Sequence, residues 1–309
     1  MHNPFLDNGS QGKNNWWRYL LTITISWGGA ILATGILVAV LMIIYYVYGA
    51  SNAYQLDLTS ITSNSMFFLF IVFIAYGISF LLFYICVRFM HKKKFTSLIN
   101  TTGKMDWMKI LKGAGIWTAL IVALTFTPLL MTTGIQGYQI TFNPKTFGVL
   151  LILSVLAFPI QASFEELFFR GYLMQAFGLL SKKPVIPLVT TSIVFASVHF
   201  FNGTDLQMSV MMVLGTFIVG LMLGIIVLGE NRLETAMGIH IANNMFVAVV
   251  YNSTDSGLGN LPSVITVQQS DAVTGTIGIL IAAVLMITIL FWNKKTELLN
   301  IFKWKDSNP

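Results

Sequence analysis

Eight long apolar runs limit what this chain can fold into. They cover about Leu20–Tyr48, Ser65–Val87, Ile110–Thr132, a stretch from Thr146 onward, Val185–Phe201, Gln207–Leu228, Thr235–Tyr251 and Gly275–Trp292. A helix needs about 20 apolar residues to cross a hydrocarbon core roughly 30 Å thick. Such runs must satisfy their backbone groups internally, which in lipid favours helices. The first run is too long for a signal-peptide core of roughly 7 to 15 residues. Charged residues make up 10% of the chain, against about 25% in soluble domains. The fold class expected is therefore all-α, a polytopic membrane protein of about eight transmembrane helices in one bundle.

The net charge of +6 is distributed as topology signals are. Trp16, Trp17 and Arg18 precede the first run as an interfacial anchor, and Arg88–Lys94 with Lys104 and Lys109 form the most basic loop. Eight spans place both termini on one side. The N-terminus, residues 88–109, 182–183 and 232, and the tail with Lys294, Lys295, Lys303 and Lys305 then share that side. The other loops hold Lys145 alone among lysines and arginines, so both termini are expected in the cytoplasm, with the protein integral to the cell membrane. The basic loop reads as a positive-inside anchor, with an anionic-lipid site as the functional alternative. No nucleic-acid partner is expected. The single cysteine, Cys86, lies in an apolar run and excludes a disulfide framework. Gly220 and Gly224 form a GxxxG pair read as packing within the bundle rather than a dimer contact.

Ionisable residues inside such runs are costly and mark function. The fourth run contains Glu165, Glu166 and Arg170 in an otherwise uncharged setting. On a helix Glu166 and Arg170 are i, i+4 neighbours and can pair. Glu165 points about 100° away and has no local cation, as suits a carboxylate that exchanges protons. A single packing salt bridge is the plainer reading of the same three residues. His199 ends Phe195-Ala-Ser-Val-His199, and His240 opens His240-Ile-Ala-Asn-Asn244, with Asn244 one turn further on the same face. Glu165 and His199 each lie 17 residues from Lys182. A helical hairpin turning there places both at one depth, about 25 Å below its tip. His240 reaches the same level if the fourth run is a long or broken helix projecting beyond the membrane. In this constellation Glu165 and His199 can hold and deprotonate a water, while His240 and the Asn244 amide can stabilise an oxyanion. Glu166 and Arg170 would then hold the helix and orient Glu165. No G-x-S-x-G, HExxH or evident serine or cysteine nucleophile is present.

Glu165-Glu166-Leu-Phe-Phe-Arg170, Phe195-Ala-Ser-Val-His199 and His240-Ile-Ala-Asn-Asn244 resemble the EExxxR, FxxxH and HxxxN motifs of the CPBP family. That family contains the CAAX prenyl proteases and bacterial relatives, including bacteriocin self-immunity proteins. The resemblance covers about Val149 to Val250. It implies an eight-helix intramembrane endopeptidase acting on a peptide or membrane-protein substrate near the cytoplasmic side. It also implies that Glu165 and His199 activate water, and that His240 and Asn244 form the oxyanion hole. No cofactor is expected, with zinc on Glu165, His199 and His240 as the alternative. The chain divides into 1–145, an N-terminal segment with three spans; 146–251, the catalytic core; and 252–309, the last loop, span and basic tail. Two other classes fit the same residues, a proton-coupled transporter and a peptide-binding immunity protein that does not cleave.

Overall fold

A computed structural model of the chain describes residues 3–51, 64–131, 138–181, 183–255, 257–268 and 271–302. Asp57, Lys182, Lys303 and Lys305 lie outside the described residues. Among the described residues, seven helices are long and apolar enough to cross a membrane. They are α1 (Trp16–Tyr48), α2 (Ser65–Met90), α3 (Trp107–Thr127), α4 (Pro144–Leu180), α5 (Val185–Asn202), α6 (Leu206–Glu230) and α8 (Ala272–Phe291). The remaining run forms α7, Glu234–Met245, extended by a π-helical turn over Phe246–Val250. The protein is an all-α polytopic membrane protein whose helices follow the order of the apolar runs.

Local chemistry sets the helix ends. Asn64, Asn143, Asp205 and Asp271 accept backbone N–H bonds at the starts of α2, α4, α6 and α8. α6 stops at Asn231, whose φ of 56° is a left-handed cap. Outward residues such as Ile31, Leu32, Ile152, Val155 and Val284 are exposed and apolar, the surface a bilayer would cover.

α4 is 37 residues long, about 55 Å. It exceeds the hydrocarbon thickness, as the matching of depths required. A π-helical turn spans Leu167–Leu173, directly after the paired glutamates. Such turns interrupt α-helices frequently at functional sites.

Two close helix contacts position the site. A Cβ on Gly113 would lie 2.4 Å from the Thr235 carbonyl oxygen, and one on Gly238 would lie 2.0 Å from that of Ile110. α3 and α7 therefore touch backbone to backbone, which only glycine permits. Gly220 packs on Ser192 and Gly224 on the Leu188 side chain of α5, inside the bundle.

Among the described residues, three short strands join loops that the hydropathy pattern leaves unstructured. β1 (Tyr138–Ile140), β2 (Tyr251–Ser253) and β3 (Ile265–Val267) form a sheet with β3 central. β1 runs antiparallel to it and β2 parallel. The sheet ties the α3–α4 connection to the α7–α8 connection.

Candidate active site

Glu165 and Glu166 occupy the last turn of the regular part of α4, and both are buried. Arg170 Nη1 donates to Glu166 Oε1 at 2.8 Å, the pair expected from their spacing. The guanidinium also lies over the Phe195 ring, 4.2 Å from its centroid, and its Nη2 reaches the Gly220 carbonyl at 3.5 Å. Phe195 is thus a platform for the cation, not merely a packing residue.

His240 changes the expected arrangement. Its Nδ1 donates to Glu166 Oε1 at 2.7 Å, and its Nε2 lies 3.6 Å from Glu165 Oε2. One imidazole therefore bridges the two carboxylates. Glu165 does have an ionisable neighbour, supplied by α7, which no spacing along α4 could reveal. Glu166 with Arg170 directly orients His240, whereas the sequence had suggested that they orient Glu165. Fixing one ring nitrogen by a carboxylate sets the tautomer and aims the other.

Two residues at the site have no role in the sequence reading. The Tyr76 hydroxyl on α2 donates to Glu165 Oε1 at 2.6 Å, and Gln161 Nε2 donates to the same oxygen at 2.8 Å. Gln161 had one available signal, since it lies four residues before Glu165 on the same helix face. Tyr76 had none. Asn244 Nδ2 donates to Gln161 Oε1 at 2.8 Å, and Asn243 Nδ2 donates to Asn244 Oδ1 at 3.2 Å. Oε1 of Glu165 is thereby held by two donors, while Oε2 is buried without a hydrogen bond. An orphaned carboxylate oxygen in an apolar interior is costly unless something polar reaches it.

His199 lies just past the regular helical part of α5. Its Nδ1 bonds the Phe195 carbonyl at 2.8 Å. A carbonyl only accepts, so Nδ1 carries the proton and the neutral ring keeps its lone pair on Nε2. The Phe195 ring contacts both imidazoles, with centroids 4.8 Å from His199 and 5.9 Å from His240. Among the described residues no direct hydrogen bond joins His199 to Glu165. The structure therefore joins Glu165, Glu166, Arg170, His240, Asn244 and Gln161 by direct contacts, with His199 linked through Phe195.

Aromatic residues close the rear of the site. Trp27 packs edge-on against Tyr76, Phe164 and Phe168. Phe83 packs in the same way on Phe164 and Phe168. This wall keeps the Tyr76–Glu165 bond in a low-dielectric setting, where it is strong. Among the described residues no three His, Cys, Asp or Glu groups converge closely enough to hold a metal ion. The zinc set Glu165, His199 and His240 is not assembled in this arrangement.

Residues 144–246 match the type II CAAX prenyl endopeptidase Rce1-like family. Over 262 residues the chain is 28% identical to YyaK of Bacillus subtilis (strain 168), described as an uncharacterized protein, covering 84% of this chain and 86% of that one. No solved structure matches the chain. The matched segment runs from the start of α4 into α7 and so contains all three motifs. The helices that build this site thus lie in an integral membrane protein whose residues 144–246 are similar to the type II CAAX prenyl endopeptidase Rce1-like family.

Proposed function

We propose that the protein is an intramembrane endopeptidase that hydrolyses a peptide bond near the cytoplasmic face of the cell membrane. The observation that carries this reading is the division of labour on Glu165, with Oε1 held by Tyr76 and Gln161 and Oε2 left open beside His240. A carboxylate so fixed can accept a proton at one defined atom.

In this mechanism a water sits between Glu165 Oε2 and the lone pair of His199 Nε2. Its oxygen attacks the scissile carbonyl carbon while its proton passes to Glu165. The negative charge that develops on the carbonyl oxygen is met by the Asn244 amide and by Nε2–H of His240 in the form whose ring carries both protons, Nδ1–H being taken by Glu166. Glu165 then returns the proton to the leaving amine, the C–N bond breaks, and the carboxylate is restored. Glu166 and Arg170 hold His240 in place through Nδ1. The positive-inside distribution of lysines supports cytoplasmic termini and a cytoplasmic-side site. The substrate is a peptide or a membrane protein with a segment that enters from that side.

The test compares the N-termini of membrane and secreted proteins from cells carrying the wild type, Glu165→Gln or His199→Ala at matched expression. Termini present only with the wild type would identify cleavage and its substrates. Identical termini in all three, alongside an intact phenotype in Glu165→Gln cells, would favour a binding or immunity role without catalysis. Proton-gradient-dependent flux in proteoliposomes without proteolysis would favour transport.

A further inference from the structure

The basic loop after α2 forms a pocket that the proposed proteolysis does not use. It encloses a volume of about 490 Å³ between the N-terminal segment and residues 92–103. Lys92, Lys93 and Lys94 line it together with Thr96, Thr101 and Asn8, and no carboxylate is among its lining residues. Among the described residues neither Lys92 nor Lys94 forms an ion pair, and both are exposed. Lys93 is different, being only 5% exposed, and its ammonium donates to the neutral Gln175 Oε1 at 2.8 Å. Burial pulls its pKa down to about 8. Two exposed cations, Lys92 and Lys94, thus line a polar pocket with no protein anion in its lining, and Lys93 adds a third whose ammonium is held by Gln175.

The pocket lies where two membrane helices end. Lys13 N donates to the His91 carbonyl at 2.7 Å, and the Arg18 guanidinium donates to the Met90 carbonyl. These contacts bring the start of α1, with exposed Trp16 and Trp17, beside the end of α2. Tryptophan and arginine at span ends mark headgroup level. Lysine ammonium groups, as compact point charges, suit phosphate.

We propose that this pocket binds a phosphate-bearing anion at the membrane surface, with the headgroup of an anionic lipid as the source that its position fits. The loop is also fastened to the helices of the candidate active site. Gln175 of α4 donates to the Ser97 carbonyl at 2.9 Å, and Asn100 donates to Glu234 Oε1 of α7 at 2.6 Å. An occupied pocket therefore braces α4 against α7 and raises the unfolding temperature.

The full chain, purified in detergent, would be offered equal phosphatidylglycerol and phosphatidylcholine, and retained lipid read by native mass spectrometry. Wild type should prefer phosphatidylglycerol, and Lys92→Gln/Lys94→Gln should lose roughly tenfold of that preference. A charge-matched pair remote in sequence, Lys294→Gln/Lys295→Gln, should keep it. In parallel, unfolding would be followed in inorganic phosphate against chloride at equal ionic strength. Selective lipid retention without a phosphate effect assigns the site to the headgroup. Phosphate that raises the unfolding temperature in wild type, but not in Lys92→Gln/Lys94→Gln, assigns it to a free anion. Equal retention of both lipids without a phosphate effect, or equal loss in the two lysine pairs, would overturn the proposal and leave only a topological anchor.

Discussion

Arg170→Ala tests the site's architecture without knowledge of the substrate. Arg170 is 1% exposed and Glu166 is fully buried, and they are joined at 2.8 Å. Removing the guanidinium leaves the Glu166 carboxylate with the single bond from His240, since its Oε2 already lacks a partner. Breaking one half of a buried pair costs about 3 to 5 kcal/mol, because the remaining charge stays desolvated. The stacking over Phe195 is lost as well. For a large domain each kcal/mol is worth about 2 to 4 °C. The expected fall in the thermal midpoint, read by intrinsic fluorescence in detergent, is therefore on the order of 10 °C. Glu166→Gln/Arg170→Met removes both charges while keeping an acceptor for His240 Nδ1, and should recover more than half of the loss. An Arg170→Ala midpoint within about 2 °C of wild type would refute the reasoning. So would a double variant no more stable than Arg170→Ala, since the cost could not then come from a stranded charge.

Three further outcomes are expected. Tyr76→Phe removes a charge-assisted donor to Glu165 but leaves Gln161 in place, so kcat on a peptide identified from cleaved termini should fall about tenfold with KM unchanged; a change confined to KM would place Tyr76 in substrate binding instead. Gly238→Ala drives a Cβ against the Ile110 carbonyl and forces α3 and α7 apart, which should cost roughly 1 to 3 kcal/mol in the thermal midpoint and disturb His240 two residues later. Lys93 has a folded pKa of about 8 against an ordinary 10.5, so the unfolded chain binds more protons between those values and stability rises with pH across that window. Lys93→Met should remove on the order of 3 kcal/mol of that rise, and an unchanged slope in a pH series of unfolding midpoints would contradict the burial of its charge.

The class of the protein and most polar groups of its candidate site were legible in the chain alone. Apolar runs of sufficient length leave a chain in lipid little choice but helices, because each backbone group must be satisfied within its own segment. The i, i+4 geometry that pairs Glu166 with Arg170 is likewise a property of one helix. The cost of burying charge singled out Glu165, and the equal distances of Glu165 and His199 from Lys182 pointed to a shared depth. Tertiary structure decided how those groups are wired. His240 reaches both carboxylates of α4 from α7, which Gly113 and Gly238 let close onto α3, and Tyr76 reaches Glu165 from a helix about 90 residues away in sequence. Contacts between helices depend on the rotation and depth of each one, which side-chain packing sets and hydropathy does not encode. The three-residue strands are too short to show a period of two, so the sheet joining the loops left no pattern to read. Thus the individual spans and the charges within them were local properties of the sequence. The choice of which oxygen of Glu165 is held and which is left open belonged to the packed bundle, because its donors come from different helices.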